Sequence, residues 1–294
     1  MATPTLSVEA VQARSICVLL AALAERPVGA VGAVVSGAAS VVAEATLEYG
    51  PACVLGLFSG GHDSVTSTHI AAQHPAFRGV LHVNTGIGIE ETREYVRQIC
   101  HDQGWPLIEE HAPDGWYEQN CLAKGMPGGP IQHGLMYQRL KDDQVRCVVR
   151  RYQRRRGDTV GLVTGVRLHE SERRMRVHPE PVRRERAQLW INPILDWTAA
   201  DVNAYMAEHA IPRNPVVDKL HRSGECLCGA LADPAELEWV AYWYPEVAAR
   251  IRALELACFE KGLSYRWGTK PSQSIDPNQP MLPLCADCPT RWAA

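Results

Sequence analysis

The sequence predicts an α/β fold built on a mostly parallel, doubly wound sheet, and three observations lead there. Short apolar runs bounded by turn residues recur through the middle of the chain, the pattern of strands buried on both faces. Stretches of helical length separate them, so strands and helices alternate as in βαβ units. With 294 residues, 46% of them hydrophobic, the chain can bury a substantial core.

Residues 1–50, rich in Ala and Val, read as a helical N-terminal segment of two helices broken at Pro27-Val28-Gly29. Its apolar run at 16–24 is followed by Glu25-Arg26-Pro27 and not by a small-residue cleavage site, so a helix is expected and not a signal peptide. Residues 52–58 (ACVLGLF) form the first expected strand, ending in a Ser-Gly-Gly turn, and 63–73 the helix after it. Further strands are expected at 80–84, 107–110, 159–166 and 189–195, with a helix at 90–103. Thr198 is placed to cap the helix that follows Trp197. From Pro212 onward Pro, Gly and Cys become frequent around one expected long helix, 234–261, in which Trp239, Tyr242, Trp243 and Tyr244 are expected to pack in the core. The linear division is thus a helical segment (1–50), a nucleotide-binding α/β domain (51–211) and a Cys-containing C-terminal extension (212–294).

The net charge of −3 announces no polyanionic partner, but the charge is unevenly spread. From Arg139 to Arg186 there are 15 Lys or Arg against 7 Asp or Glu, a local excess of +8. Such a segment is either a solvated helix face or a groove for a polyanion, which makes DNA or RNA a candidate partner. No apolar stretch reaches the roughly 18 residues of a membrane span. The 10 cysteines are unevenly spaced and unlike a disulfide scaffold. A cytoplasmic protein with thiols reduced or bound to metal is expected.

The run Ser59-Gly60-Gly61-His62-Asp63-Ser64 joins an expected strand to an expected helix. Its glycines let the backbone approach a ligand, and the helix start offers amides and a dipole that favour an anion. Ser59 and Ser64 add hydroxyls, His62 is either a donor or a turn residue, and Asp63 is either a simple cap or a holder of Mg²⁺ on bound phosphates. The loop lacks the Gly-Lys-Ser/Thr ending of a Walker A sequence. Arg167, at the expected end of a strand, suits a phosphate gripped bidentately; the bland alternative pairs it with Glu170.

These residues resemble the Ser-Gly-Gly-x-Asp-Ser pyrophosphate loop of the ATP pyrophosphatase superfamily. Within it the chain is most similar, from about Cys53 to Gly229, to the phosphoadenosine phosphosulfate reductase family, which includes sulfur-incorporating proteins of DNA phosphorothioate modification. Val83-Asn84-Thr85-Gly86 with Glu91-Thr92 looks like the family segment after the second strand, and the resemblance implies that Asn84, Thr85 and Gly86 border adenosine. Thr164-Gly165-Val166-Arg167 with Glu170-Ser171 is similar to the family's Gly-x-Arg…Glu-Ser stretch, which implies that Gly165 and Arg167 meet phosphate or sulfate. Trp197…Asp201-Val202 and Ile211-Pro212-Arg213-Asn214-Pro215 resemble its later helix and Pro-Asn-Pro loop. Family reductases carry a late Glu-Cys-Gly-x-His motif whose cysteine attacks the sulfonyl group. Here Glu225-Cys226-Leu227-Cys228-Gly229 resembles it only in part, lies earlier and lacks the histidine.

Cys226-x-Cys228 and Cys285-x-x-Cys288-Pro289 are close pairs in loop-like sequence, suited to a 4Fe-4S cluster, to Zn²⁺ or to a redox thiol pair, the bland alternative being inert buried cysteines. His133 and Tyr137 precede Arg139-Leu140-Lys141, where some relatives place a first cluster cysteine; here only Cys147 is nearby. Cys17, Cys53, Cys100, Cys121, Cys147 and Cys258 read as core cysteines. The leading expectation is an ATP pyrophosphatase-type enzyme, using ATP and Mg²⁺, that adenylates an acceptor for sulfur incorporation, with nucleic acid as acceptor and a sulfur-donor protein as partner. The alternatives are reduction of adenylyl sulfate or phosphoadenylyl sulfate, and a nucleotide-sensing subunit without turnover.

Overall fold

The computed structural model of the protein describes residues 31–168 and 180–268. The first expected N-terminal helix, Cys17, Glu170, Ser171, Cys285 and Cys288 lie outside them. Helix α1 (Val31–Tyr49) buries Ala38, Val42 and Ala45, a stripe of one helical face. That stripe joins a core with Val54, Ala71, Val163, Leu189 and Ile191.

Six strands form one sheet: β1 (Val54–Leu57), β2 (Phe77–Asn84), β3 (Leu107–His111), β4 (Val160–Val163), β5 (Val182–Glu185) and β6 (Gln188–Ile191). Their order is β3-β2-β1-β4-β6-β5. β1 runs parallel to β2 and β4, and β4 parallel to β6, while β5 is antiparallel to β6. The four residues of β4 are all buried, as an apolar run inside a parallel sheet requires. Strand β5 reads Val-Arg-Arg-Glu and is mostly exposed; it gave no apolar signal because it is an edge. The chain winds from β1 toward β2 and β3 on one side, and places β4 and β6 on the other. Strand order therefore switches between β1 and β4, where the crevice at the strands' carboxyl ends forms the usual ligand site of such sheets.

The helices between strands are α2 (His62–Ala72), α3 (Glu90–Asp102), α4 (Trp116–Lys124), α5 (Gly129–Tyr137) and α6 (Asp143–Tyr152). A single π-helical turn, Gln138–Asp142, joins α5 to α6. Helix α7 (Ala199–Glu208) starts at the expected cap: the Thr198 side chain accepts from Asp201 N–H and the Asp201 carboxylate accepts from Thr198 N–H, a reciprocal capping box. After α8 (Pro215–Leu220), the long helix expected over 234–261 is instead two, α9 (Glu236–Trp243) and α10 (Pro245–Glu260). Pro245 lacks an N–H and pushes Tyr244 out of helical geometry, to φ −137° and ψ 66°. The break also overturns the expected core role of two aromatics, since Tyr242 and Trp243 are 74% and 42% exposed.

The chain forms two compact units that do not follow the linear division expected from sequence. Among the described residues, one gathers 31–81, 99–108, 149–168 and 180–213; the other gathers 82–98, 109–148 and 214–268. The second has its own core, including Tyr117, Met126, Met136, Leu140, Leu227 and Trp267. No helix among the described residues is long and apolar enough to cross a membrane.

Candidate phosphate loop and thiol site

In the first unit, Ser59-Gly60-Gly61 follows β1 and α2 begins at His62. Gly60 has φ 82°, a left-handed conformation that glycine adopts without strain. The N-cap of α2 is Gly61, in extended conformation and without a side chain of its own to cap the helix. The Ser59 hydroxyl donates to Ser64 Oγ at 3.3 Å, and Ser64 Oγ donates to the Gly61 carbonyl at 2.8 Å. Helix α2 is anchored from behind by His69 Nδ1, 2.7 Å from the Tyr205 hydroxyl of α7.

The loop after β4 lies against this helix start. A Cβ on Gly165 would fall 2.5 Å from Asp63 C and 2.6 Å from Ser64 N, so only glycine permits the approach. Arg167 Nε stands 2.9 Å from Asp63 Oδ1, with the two side chains 12% and 22% exposed. The bland pairing with Glu170 is thus not needed to account for Arg167. Sequence reasoning missed Asn192, which follows β6: Thr164 Oγ1 donates to its Oδ1, and its Nδ2 donates to Glu180 O. Asn192 holds the loop after β4 in place, yet within an apolar strand it gave no signal.

In the second unit, the adenosine-bordering segment expected from resemblance is largely committed to the fold. Asn84 Nδ2 donates to Glu109 Oε1 at 3.1 Å and its Oδ1 accepts from Gly86 N–H at 3.0 Å. Thr85 N–H donates to Glu225 Oε1 at 2.8 Å, and Gly86 remains exposed. Glu225 itself is 1% exposed. His82 Nε2 and Arg93 Nε each lie 3.4 Å from its Oε2. Burial alone would push this carboxyl up, but His82, Arg93 and the Thr85 amide together hold it below its ordinary value. Thr92 Oγ1 also donates to Ser223 O, and Ile89 N–H to Gly224 O. The chain entering Cys226 is therefore stitched to the segment after β2.

Cys226 is half-buried and Cys228 buried. Both line a cavity of about 130 Å³ together with His133, Tyr137, Lys141 and Arg222. A hydrogen bond from Cys228 pulls the Cys226 thiol below its ordinary pKa, and the same contact raises that of Cys228. The neighbourhood flagged around His133 and Tyr137 thus meets the first cysteine pair. By contrast Cys53, Cys100, Cys121 and Cys258 are buried, and burial pushes the Cys100 and Cys121 thiols up to about 12. These are packing cysteines. Among the described residues no three His, Cys, Asp or Glu side chains group as metal ligands. Cys226 and Cys228 have the chemistry of half a four-thiolate set, and Asp63 on its loop suits the one-carboxylate-plus-phosphate manner in which Mg²⁺ binds nucleotides.

The phosphoadenosine phosphosulfate reductase domain matches residues 54–228, a span that includes the phosphate loop, Arg167 and both described thiols. The adenosine 5'-phosphosulfate reductase of Burkholderia cepacia is 26% identical over 174 residues, 57% of this chain, which spans 66% of that protein's length. The adenosine 5'-phosphosulfate reductase of Chelativorans sp. is 27% identical over 190 residues, 63% of this chain and 72% of its own. Among solved structures, the phosphoadenylyl-sulfate reductase of Candida auris in its phosphate complex aligns with TM-score 0.47 and 17% identity, covering 74% of this chain and 94% of that one. With its loop, arginine and thiol pair inside the matched span, the chain is a member of the phosphoadenosine phosphosulfate reductase family.

Proposed function

We propose that this chain is a reductase of adenylyl sulfate that holds the nucleotide's phosphate end on residues 59–64 and Arg167, with the dithiol Cys226 and Cys228 as its source of electrons. The observation that carries the reading is the Asp63–Arg167 pair at the sheet's switch point. It holds a guanidinium ready for an anionic substituent beside the start of α2. The choice of adenylyl sulfate follows the curated relatives, which are named as reductases of that nucleotide. Cys226 thiolate attacks the sulfate sulfur; an S–S bond forms, the S–O bond to the nucleotide breaks, and AMP leaves. Cys228 thiolate then attacks Cys226 Sγ, forming a disulfide and releasing sulfite with the bonding pair. The dithiol supplies both electrons, and an external dithiol restores it. Lys141 and Arg222 favour the anionic sulfo group at the thiols.

A second reading is favoured by the adjacency of the two thiols in a loop lined with cations. Cys226 and Cys228, joined by Cys285 and Cys288, would hold an Fe–S cluster or Zn²⁺, supplying electron transfer or Lewis acidity. Asp63 would then hold Mg²⁺ on the phosphates of ATP, and the chain would activate an acceptor for sulfur incorporation. Two assays on anaerobically purified protein separate the readings. Sulfite and AMP from adenylyl sulfate, with metal-free protein, support the first. Pyrophosphate from ATP, with stoichiometric iron or zinc lost in Cys226→Ser, sinks it in favour of the second. Binding of neither nucleotide removes both.

A further inference from the structure

The basic segment from Arg139 to Arg186 is not one surface. On its first half, Arg139 pairs with Asp143 and Arg146 with Asp142, each four residues away along the chain. Those charges are largely neutralised where they stand. The second half behaves differently. Arg154, Arg155 and Arg156 are exposed on the loop before β4, and Arg184 and Arg186 are exposed on the β5–β6 hairpin. The fold joins these two places. Val160 N–H donates to Ala187 O at 2.8 Å, and Arg184 Nη2 reaches the Gly157 carbonyl at 3.5 Å.

The nearest carboxylate does not cancel this charge. Asp158 Oδ2 is occupied by the backbone N–H groups of Arg154 and Arg155, at 3.2 and 2.8 Å. It turns the loop and leaves the guanidinium groups outward. Glu185 pairs with Arg183, and both lie on the strand face opposite Arg184. Glu180 is the remaining exposed acid in the described part of the hairpin. Charged residues on an edge strand also guard against sheet-to-sheet pairing, but that need does not explain three consecutive arginines on the adjoining loop.

We propose that the edge formed by Arg154, Arg155, Arg156, Arg184 and Arg186 is a docking surface for the phosphodiester backbone of duplex nucleic acid. Guanidinium groups are weakly hydrated and match phosphate oxygens bidentately. None of the large apolar side chains exposed among the described residues lies on this loop or hairpin, so neither offers a platform for stacked bases. Single-strand binders rely on such platforms. Contact is therefore with backbone, independent of base sequence. The surface belongs to the first unit and does not depend on which nucleotide the phosphate loop holds.

The test is anisotropy of the full chain with labelled DNA and RNA duplexes from 50 to 200 mM salt. Each phosphate neutralised contributes about −0.9 to the slope of log affinity against log salt on duplex DNA, so five arginines predict a slope of about −4.5. Arg155→Glu with Arg156→Glu, confined to the loop, is expected to weaken binding at least tenfold and flatten the slope by about 2. Adding Arg184→Glu weakens it further. Arg139→Glu with Arg146→Glu should stay within about twofold at matched salt, as their charges are already paired. Unchanged melting temperatures and unchanged nucleotide affinity in the loop variant exclude misfolding. The proposal is overturned if wild-type protein ignores duplexes at 50 mM salt, if the loop variant binds as well as wild type, or if single strands or anionic vesicles are preferred to duplex.

Discussion

Arg167 Nε lies 2.9 Å from Asp63 Oδ1, which ties the end of β4 to the first turn of α2. These elements are about a hundred residues apart in sequence, yet adjacent in the sheet because β4 pairs directly with β1. The carboxylate orients the guanidinium and offsets its charge until an anion arrives. Under the proposed function, a phosphate or sulfate binding there would take over that balance.

Gly165→Ala places a methyl group into the Asp63 and Ser64 backbone. The expected result is a destabilisation of about 1–3 kcal/mol from overpacking, with nucleotide binding lost beyond what stability explains. Thermal melts beside calorimetric titration with adenylyl sulfate check it. A variant that binds normally would show that the loop after β4 is not part of the phosphate site.

Arg167→Lys keeps a charge but loses the planar fork. Affinity for adenylyl sulfate should fall about ten- to a hundredfold, the loss of a charge-assisted hydrogen bond of roughly 1.5–3 kcal/mol. Ser59→Ala, which removes only the 3.3 Å contact to Ser64, should cost under about 1 kcal/mol of stability while lowering turnover. Equal affinities for Arg167→Lys and wild type would remove the arginine from the site.

Glu225→Ala removes the buried acceptor shared by Thr85, His82 and Arg93. Arg93 keeps Glu90 at 3.0 Å, so the expected cost is that of buried polar groups left unpaired, about 1–3 kcal/mol. Because Glu225 also precedes Cys226, alkylation of that thiol should accelerate as the turn loosens. Glu225→Gln retains an acceptor for Thr85 and should fall between the two. Wild-type alkylation kinetics in both variants would contradict the coupling.

The acid side of the stability profile should report Glu109. Arg97 grips its carboxylate through Nε and Nη2 at 2.9 and 2.8 Å and holds its pKa down at about 2. The unfolded value is about 4.3, so the folded state binds this proton less readily. Its contribution is therefore complete above the unfolded pKa and is lost as pH falls toward 2. Melting temperatures of wild type should drop more steeply between pH 4 and pH 2 than those of Glu109→Gln. Parallel profiles would refute it.

Under the reductive reading, one turnover without external thiol should leave Cys226 and Cys228 closed to alkylation. In Cys228→Ser the resolving step is missing, and Cys226 should carry a sulfo group detectable by intact mass. Cys100→Ser should change neither result, since that thiol is buried among apolar side chains. Free thiols after sulfite release would place the chemistry elsewhere.

The parallel sheet, the helix after the first strand and the capped helix at Thr198 were legible in the sequence because local pattern dictates them. Apolar runs buried on both faces look alike in any chain, and a Thr-x-x-Asp cap needs only its own four residues. The strand-to-helix junction at residues 59–64 was legible for the same reason, since its Ser, Gly and Asp residues are consecutive. What the sequence left open were relationships between distant segments. Arg167 was offered both a phosphate and Glu170, and only the pairing of β4 with β1 brought it to Asp63. Glu225 and Asn192 gave no periodic signal, because a buried polar residue is defined by partners that arrive from other strands. The expected long helix broke at Tyr244, where a proline outweighed helical spacing. The basic segment divided because two arginines found carboxylates one helical turn away, whereas others were carried onto the exposed loop and hairpin of a sheet edge. Local composition states which charges and thiols a chain possesses; tertiary contacts decide which of them are neutralised, buried or left to act.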